Sequence, residues 1–446
     1  MRLKHKKLLI VCVLVGVVGL AAGLYAWWRL SAEDAWHEAV ASLKRSGAIV
    51  EWSAMSPPPI PEDENAAVLY EKAYACFLKL SEAKRDRFRE LARKLEDLTP
   101  AEDNEARALL REVASVFPLL SEAAGRHRCR FSIDYDKPLW QLVDFSETHK
   151  LNLPLALRVR MLADDGRATE ALARCEEMIA LGRALHDQPC TMSALVMGWV
   201  VAEQGFVQIE RVLDRGEPDV ESLRHLLPVL ASGLTREDFI RAEEGQRCDL
   251  VAMVAHVVDA FDRPSDASQA PRNWWQRIMA GFARGGVYRD GLACLDIMNA
   301  SVRLAALPSR EALAGYRELA ERAERLSGGD VDHPRVAGLM GRAVYRTSAH
   351  FDCFLARRDC TRLGVALRLH RVKHGVYPDD LAALVPTFIE SVPTDPFSGG
   401  DYVYRREGKG IVVYSVGPNA EDDGGRDGRR DNMSVFVGDI VVRFSR

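Results

Sequence analysis

Residues 153–185 read LPLALRVRMLADDGRATEALARCEEMIALGRAL and predict two helices joined by a short turn. Apolar residues recur at three- and four-residue steps on both sides of the turn, which is the spacing of a buried helix face. The turn is Asp164-Asp165-Gly166-Arg167, a cluster of residues that interrupts helical patterns. This stretch predicts a fold in which helix packs on helix.

The second helix of this hairpin begins on an apolar face formed by Ala168, Ala171 and Leu172. A glycine turn followed by an Ala-Leu pair resembles one helical hairpin of the tetratricopeptide family. The resemblance covers about one unit, and no 34-residue period surrounds it. We therefore expect a multi-helix bundle or an irregular solenoid.

Helical periodicity extends over residues 31–335, which we predict to be a helical domain. Four prolines within residues 57–61 break the pattern, and Asn65 is the expected N-cap of the next helix. The apolar run SALVMGWVVAEQGFVQI, residues 193–209, contains Glu203 and is short of a clean membrane span. We predict a buried core helix there.

Residues 8–28, LLIVCVLVGVVGLAAGLYAWW, predict an N-terminal transmembrane helix. The basic residues of segment 1–7 keep that tail in the cytoplasm by the positive-inside rule. A cleaved signal peptide is the alternative, but it has a shorter apolar core and a small-residue cleavage site. We expect a single-pass protein of a bacterial inner membrane with a periplasmic ectodomain, so that the membrane is one partner.

Overall composition argues against nucleic acid as a partner, because the formal net charge is -4 and no basic excess exists. The nine cysteines form no C-x-x-C pair. A periplasmic location permits disulfides, yet the spacing shows no framework. Buried free thiols are the simpler interpretation.

Residues 337–446 have a different residue pattern, which predicts a long helix followed by a small α+β module. YVYRR, IVVYSVG and VFVGDIVVRF alternate aromatic and β-branched residues. This pattern predicts three short antiparallel strands.

An ordered series of motifs in this segment reads HGVYPDDLAALV, VPTDPFSGGDYVYR, VVYSVGPNAEDDGG and GDIVV. The series resembles the globular end of the major pseudopilin of type II secretion. The matching positions are Tyr377, Pro378, Leu381, Leu384, Asp395, Pro396, Phe397, Gly399, Tyr402, Tyr404, Ser415, Gly417, Gly424, Gly425 and Asp439. The processing site that pseudopilins carry before their apolar helix is absent, so we expect no maturation by that route.

The resemblance implies a calcium site in the loop between the last strands. Its implied ligands are Asn419, Asp422, Asp423 and Asp439. Asp427 and Asp431 lie in an apparent insertion and are possible substitutes. Calcium takes six to eight hard oxygen ligands, which Asp, Asn and loop carbonyls supply. The alternative is a solvated acidic turn whose carboxylates pair with Arg426, Arg429 and Arg430.

No catalytic motif is present: the chain has no P-loop, no G-x-G-x-x-G and no G-x-S-x-G. His370 and His374 have a zinc-compatible spacing, but no third ligand is obvious. We expect a non-enzymatic, membrane-tethered interaction or scaffold protein that binds an unidentified protein partner. The alternatives are a component of a secretion apparatus of type II and an envelope enzyme whose pocket lies in the helical domain.

Overall fold

A computed structural model describes residues 19, 23, 30–134, 143–188, 192–262, 274–326, 336–428 and 438–445. Within them the chain is mainly helical, with 69% helix in 13 helices and a small three-stranded antiparallel sheet near the C-terminus. The predicted mainly α class with a C-terminal antiparallel sheet is confirmed. The predicted anchor, residues 8–28, lies outside the described residues except for Gly19 and Gly23.

The helices are α1 (30–45), α2 (Ala66–Phe77), α3 (Glu82–Arg93), α4 (Pro100–Glu112), α5 (Val116–Ala124), α6 (Asn152–Asp164), α7 (Ala168–His186), α8 (Met192–Arg215), α9 (Val220–Ala231), α10 (Arg236–Asp262), α11 (Trp274–Ala305), α12 (Ser309–Leu326) and α13 (Val336–His374). Short 3₁₀ helices lie at Trp52–Met55, Val143–Leu151 and Leu381–Leu384. The strands are β1 (Val403–Glu407), β2 (Gly410–Ser415) and β3 (Ile440–Phe444).

Local sequence sets the helix starts. The Asn65 side chain accepts a hydrogen bond from the Ala67 backbone N–H at 3.1 Å, so the predicted N-cap of α2 is confirmed. Helix α4 begins with a reciprocal capping box between Thr99 and Glu102, with Pro100 in the first turn. These caps satisfy backbone donors that the first helical turn leaves free.

The predicted hairpin of residues 153–185 forms α6 and α7, and α7 packs in turn along α8. Gly166, with φ of +74°, makes the turn between α6 and α7. Helices α7 and α8 touch through their backbones: a Cβ placed on Gly182 would lie 2.6 Å from the Gly198 carbonyl oxygen. Only glycine at both positions allows so close a crossing.

Helix α8 is long and apolar enough to cross a membrane, and is the one such helix among the described residues. However, 61% of its most apolar window is buried inside the protein. It packs against α6, α7, α10 and α13. This burial agrees with the predicted core helix.

Helix α13 connects the helical body with the sheet. It packs against α8, α9, α11 and α12, and its later part packs against β2 and β3. Gly364 lies under the Phe444 ring, where an added Cβ would come within 2.9 Å of the ring. One continuous hydrophobic core extends from Ala32 to Phe444.

The sheet has the order β1-β2-β3, and both pairs are antiparallel. Tyr404 lies opposite Val413, which lies opposite Val442. The central strand β2 is buried along its whole length. The seven described cysteines are all free, and five of them are buried, in agreement with the predicted free thiols.

Candidate functional site

The acidic loop after β2 contains the four calcium ligands that the resemblance implies. Three of them are joined by hydrogen bonds. The Asn419 side-chain amide donates to the Asp423 carboxylate at 3.0 Å, and the Asp423 backbone N–H donates to Asp439 at 3.3 Å. The other Asp439 oxygen accepts the Gly425 N–H at 2.7 Å.

The fourth residue, Asp422, faces a different partner. One of its oxygens accepts the Tyr414 hydroxyl and the Gly424 N–H, both at 2.8 Å. Of the two substitute ligands, Asp427 pairs by a β-bridge with Asp439, and burial raises the pKa of its carboxyl. Asp431 lies outside the described residues.

The carboxylates of this loop favour a bound cation, but one structural observation opposes it. Burial raises the pKa of Asp439, and the neighbouring Asp422 and Asp423 carboxylates raise it further. Three like charges around one turn are the environment that a calcium ion relieves. Against this, the described residues contain no group of three or more His, Cys, Asp or Glu side chains arranged to hold a metal ion.

The two histidines near the end of α13 lie side by side. The rings of His370 and His374 have centroids 4.4 Å apart. The His370 Nδ1 lies 3.0 Å from the Val376 carbonyl oxygen. This contact ties the helix end to the turn that follows it.

A cleft of about 720 Å³ lies in the helical body, and we call it the α7 cleft. Residues of α5, α7 and α9 form its walls, and residues of α8 and α13 form its floor. Phe206 and Phe354 meet on the floor with ring centroids 5.5 Å apart. Its volume falls in the range of pockets that bind small ligands or peptide side chains.

The polar groups of the α7 cleft are mostly paired. The Glu176 carboxylate lies 3.2 Å from the His225 Nδ1 and accepts a hydrogen bond from it when Nδ1 carries the proton. Arg358 donates to the Leu234 carbonyl oxygen at 2.8 Å. Arg183 is different: its side chain lines the cleft and makes no hydrogen bond or ion pair with the described residues.

Among the acids of the cleft, Glu177 has the carboxyl pKa that is shifted most. One of its oxygens binds Ser121 at 2.5 Å and Arg174 at 2.8 Å, and the other has no hydrogen-bond partner among the described residues. Burial raises the pKa of its carboxyl to about 7, although Ser121 and Arg174 oppose the rise. Burial also raises the pKa of Glu176.

The sequence predicts none of the residues that line the α7 cleft. Arg183 lies within the hairpin of residues 153–185 that predicts the fold, where it has the appearance of an ordinary solvated arginine. Other residues that line the cleft come from α5, α9 and α13, which are distant in the chain. No family model, curated protein or solved structure matches the chain.

Proposed function

We propose that the chain is a membrane-anchored interaction protein of the cell envelope. In this proposal residues 8–28 span the membrane, and the helical body is a bundle that holds a protein partner in the α7 cleft. The support for an anchor is its 21 uncharged residues after a basic tail. The support for partner binding is the cleft itself.

The observation that carries the proposal is a cleft lined more by apolar than by polar residues, at a place where five helices meet. Its floor is formed by Phe206 and Phe354, which offer apolar surface to an inserted side chain. Apolar pockets rimmed by a few fixed polar groups are typical of binding sites. Two pairs of these polar groups are bound to one another, Glu176 with His225 and Glu177 with Ser121, which favours recognition over chemistry.

Site-specific photo-crosslinking tests this proposal. The photoreactive residue p-benzoylphenylalanine replaces Val229, which lines the cleft, or Met253, which is exposed on α10 and does not line it. In cells that produce the full chain, we expect one discrete protein adduct from position 229 and none from position 253. Equal adducts from both positions, or none from either, would reject the cleft as the partner site.

The C-terminal module is proposed to be pseudopilin-like and stabilised by calcium. Support comes from the long α13, the three antiparallel strands, and the hydrogen-bonded loop that contains Asn419, Asp423 and Asp439. Asp395 also supports it, because it binds the Ser415 hydroxyl at 2.7 Å and joins two of the matching motifs. Membership of a secretion apparatus is the variant of this proposal in which the partner is itself a secretion protein.

A second candidate function is an envelope enzyme that uses the α7 cleft. One observation favours it: the carboxyl of Glu177 has a pKa of about 7, which suits a general acid or base at neutral pH. Two hydrogen bonds hold one Glu177 oxygen, and the other is buried without a partner. If the purified full chain catalyses a reaction and Glu177→Gln abolishes it, the chain is an enzyme. If partner adducts persist in Glu177→Gln, the result favours binding.

A further inference from the structure

The α7 cleft is lined by acidic and by cationic side chains of α7. Glu176 and Arg183 both line it and are seven residues apart on α7. Seven residues make two helical turns, so the two side chains lie on the same face about 10 Å apart along the helix axis. Between them α7 contributes the apolar Ile179 and Ala180 to the wall, together with the buried Glu177.

Arg183 is the unusual member of this pair. Glu176 is bound to His225, and Glu177 is bound to Arg174 and Ser121, so neither acid neutralises Arg183. A guanidinium presents a planar fork of donors that matches a carboxylate in a bidentate arrangement. Among the residues that the structure describes, no carboxylate lies within ion-pair distance of Arg183, so a ligand carboxylate would complete the pairing of its guanidinium.

We infer that the α7 cleft binds the C-terminal end of a partner protein, with the terminal carboxylate on Arg183 and the last apolar side chains on the floor. This inference rests on the proposed function and specifies the partner's chemistry. Capture of a C-terminal carboxylate is a recurrent mode of peptide recognition.

The spacing of the polar groups favours a peptide over a simple aliphatic carboxylate. An extended chain rises about 3.3–3.6 Å per residue, so three residues cover the distance from Arg183 to Glu176. A backbone N–H at that point can donate to the Glu176 carboxylate. A fatty acid also has a carboxylate for Arg183, but it has no donor for Glu176.

The test uses the full chain in phospholipid nanodiscs and a library of N-acetylated tetrapeptides that end in Leu, Ile, Val or Phe. Each peptide is made as a free acid and as a C-terminal amide, and the best binder is labelled for fluorescence anisotropy. We expect the acid to bind at least about 10-fold more tightly than its amide, because a charge-assisted pair is lost in the amide. Arg183→Gln should weaken binding of the peptide acid by the same factor and leave binding of the peptide amide unchanged.

Three controls make the result specific. Arg310→Gln changes an exposed arginine of α12 that lies outside the cleft and should leave binding unchanged. Glu176→Ala should weaken the peptide acid several-fold and leave octanoate competition unaffected. The melting temperature of each variant shows whether it is folded.

Equal binding of acid and amide, or of the wild type and Arg183→Gln, would overturn the inference. Displacement by octanoate without any binding of peptides would also overturn it and assign the site to an aliphatic carboxylate. In either case adducts from position 229 would still support the proposed function. Loss of those adducts would reject the proposed function whatever the peptides do.

Discussion

Arg357 joins the helical body to the sheet. Its side chain is 3% exposed and pairs with Glu210 of α8 at 2.5 Å, while it also donates to the Val441 carbonyl oxygen of β3. Burial raises the pKa of Glu210 to about 7, against the lowering effect of Arg357. The partners lie 147 and 84 residues away in the chain, so no local pattern could predict this contact.

Replacing Arg357 should therefore destabilise the protein strongly. We expect Arg357→Met to lower the free energy of unfolding by about 3–5 kcal/mol, because it leaves the buried Glu210 carboxylate unpaired. The double variant Arg357→Met, Glu210→Leu should recover much of the loss. Arg342→Met, which breaks an exposed pair with Glu324, should cost less than about 1 kcal/mol. Urea unfolding measures all three, and an unchanged Arg357→Met midpoint would contradict this role.

Glu243 should make the stability of the fold depend on pH. It is fully buried on α10, neither oxygen has a well-formed hydrogen bond among the described residues, and burial raises the pKa of its carboxyl to about 7. An acid with a raised folded pKa binds more protons when folded than when unfolded. Its favourable contribution is therefore complete below about pH 4.5 and is lost as the pH rises to about 7.

Glu243→Gln should raise the melting temperature at pH 8 and change it little at pH 5. The glutamine side chain cannot ionise, so the variant avoids the free-energy cost of a buried charge above pH 7. Thermal unfolding at the two pH values measures the difference. Equal shifts at both pH values would mean that Glu243 is not protonated in the folded state at pH 5.

At the scale of the elements, the close crossing of α7 and α8 depends on glycine. A Cβ on Gly198 would lie 2.6 Å from the Gly182 carbonyl oxygen and 2.8 Å from the His186 Cβ. Periodicity predicted both helices, because it reflects which face is buried. It could not predict their distance, since that depends on small residues meeting from two separate segments.

Gly198→Ala should destabilise the protein by about 1–3 kcal/mol, because backbone atoms must move apart. Gly286→Ala on α11 is the matched control, since nothing lies within 4 Å of its added Cβ. There the same change should stabilise by roughly 0.5–1 kcal/mol through helix propensity. Urea unfolding of the two variants checks the sign, and equal effects would contradict the close crossing.

At the scale of the whole molecule, the sequence predicted the helical class and the strands but not the α7 cleft. The strands carry their pattern locally, and the loop between β2 and β3 concentrates Asp, Asn and Gly within a few residues. The cleft is assembled by α5, α7, α8, α9 and α13, which occupy distant parts of the chain. The cleft therefore forms only when these five helices pack together.

The calcium proposal also belongs to this scale. Calcium at 100 times its dissociation constant should stabilise the fold that binds it by about 2.7 kcal/mol. We expect a rise in melting temperature with calcium, little with magnesium, and none for Asp422→Ala, Asp423→Ala. Glu421→Ala, an exposed neighbour in the same loop, should keep the response. A wild-type protein without a calcium shift would leave the loop as a solvated acidic turn.

Hydrogen–deuterium exchange of the wild-type full chain, with and without the partner that crosslinking at position 229 identifies, tests whether the α7 cleft binds this partner. Exchange reports which segments the partner orders or covers. We predict protection of residues 173–183 on α7 and residues 228–234 at the end of α9, with α12 unchanged. Protection limited to residues 403–445, with α7 and α9 unaffected, would contradict the cleft as the binding site and assign partner binding to the C-terminal module.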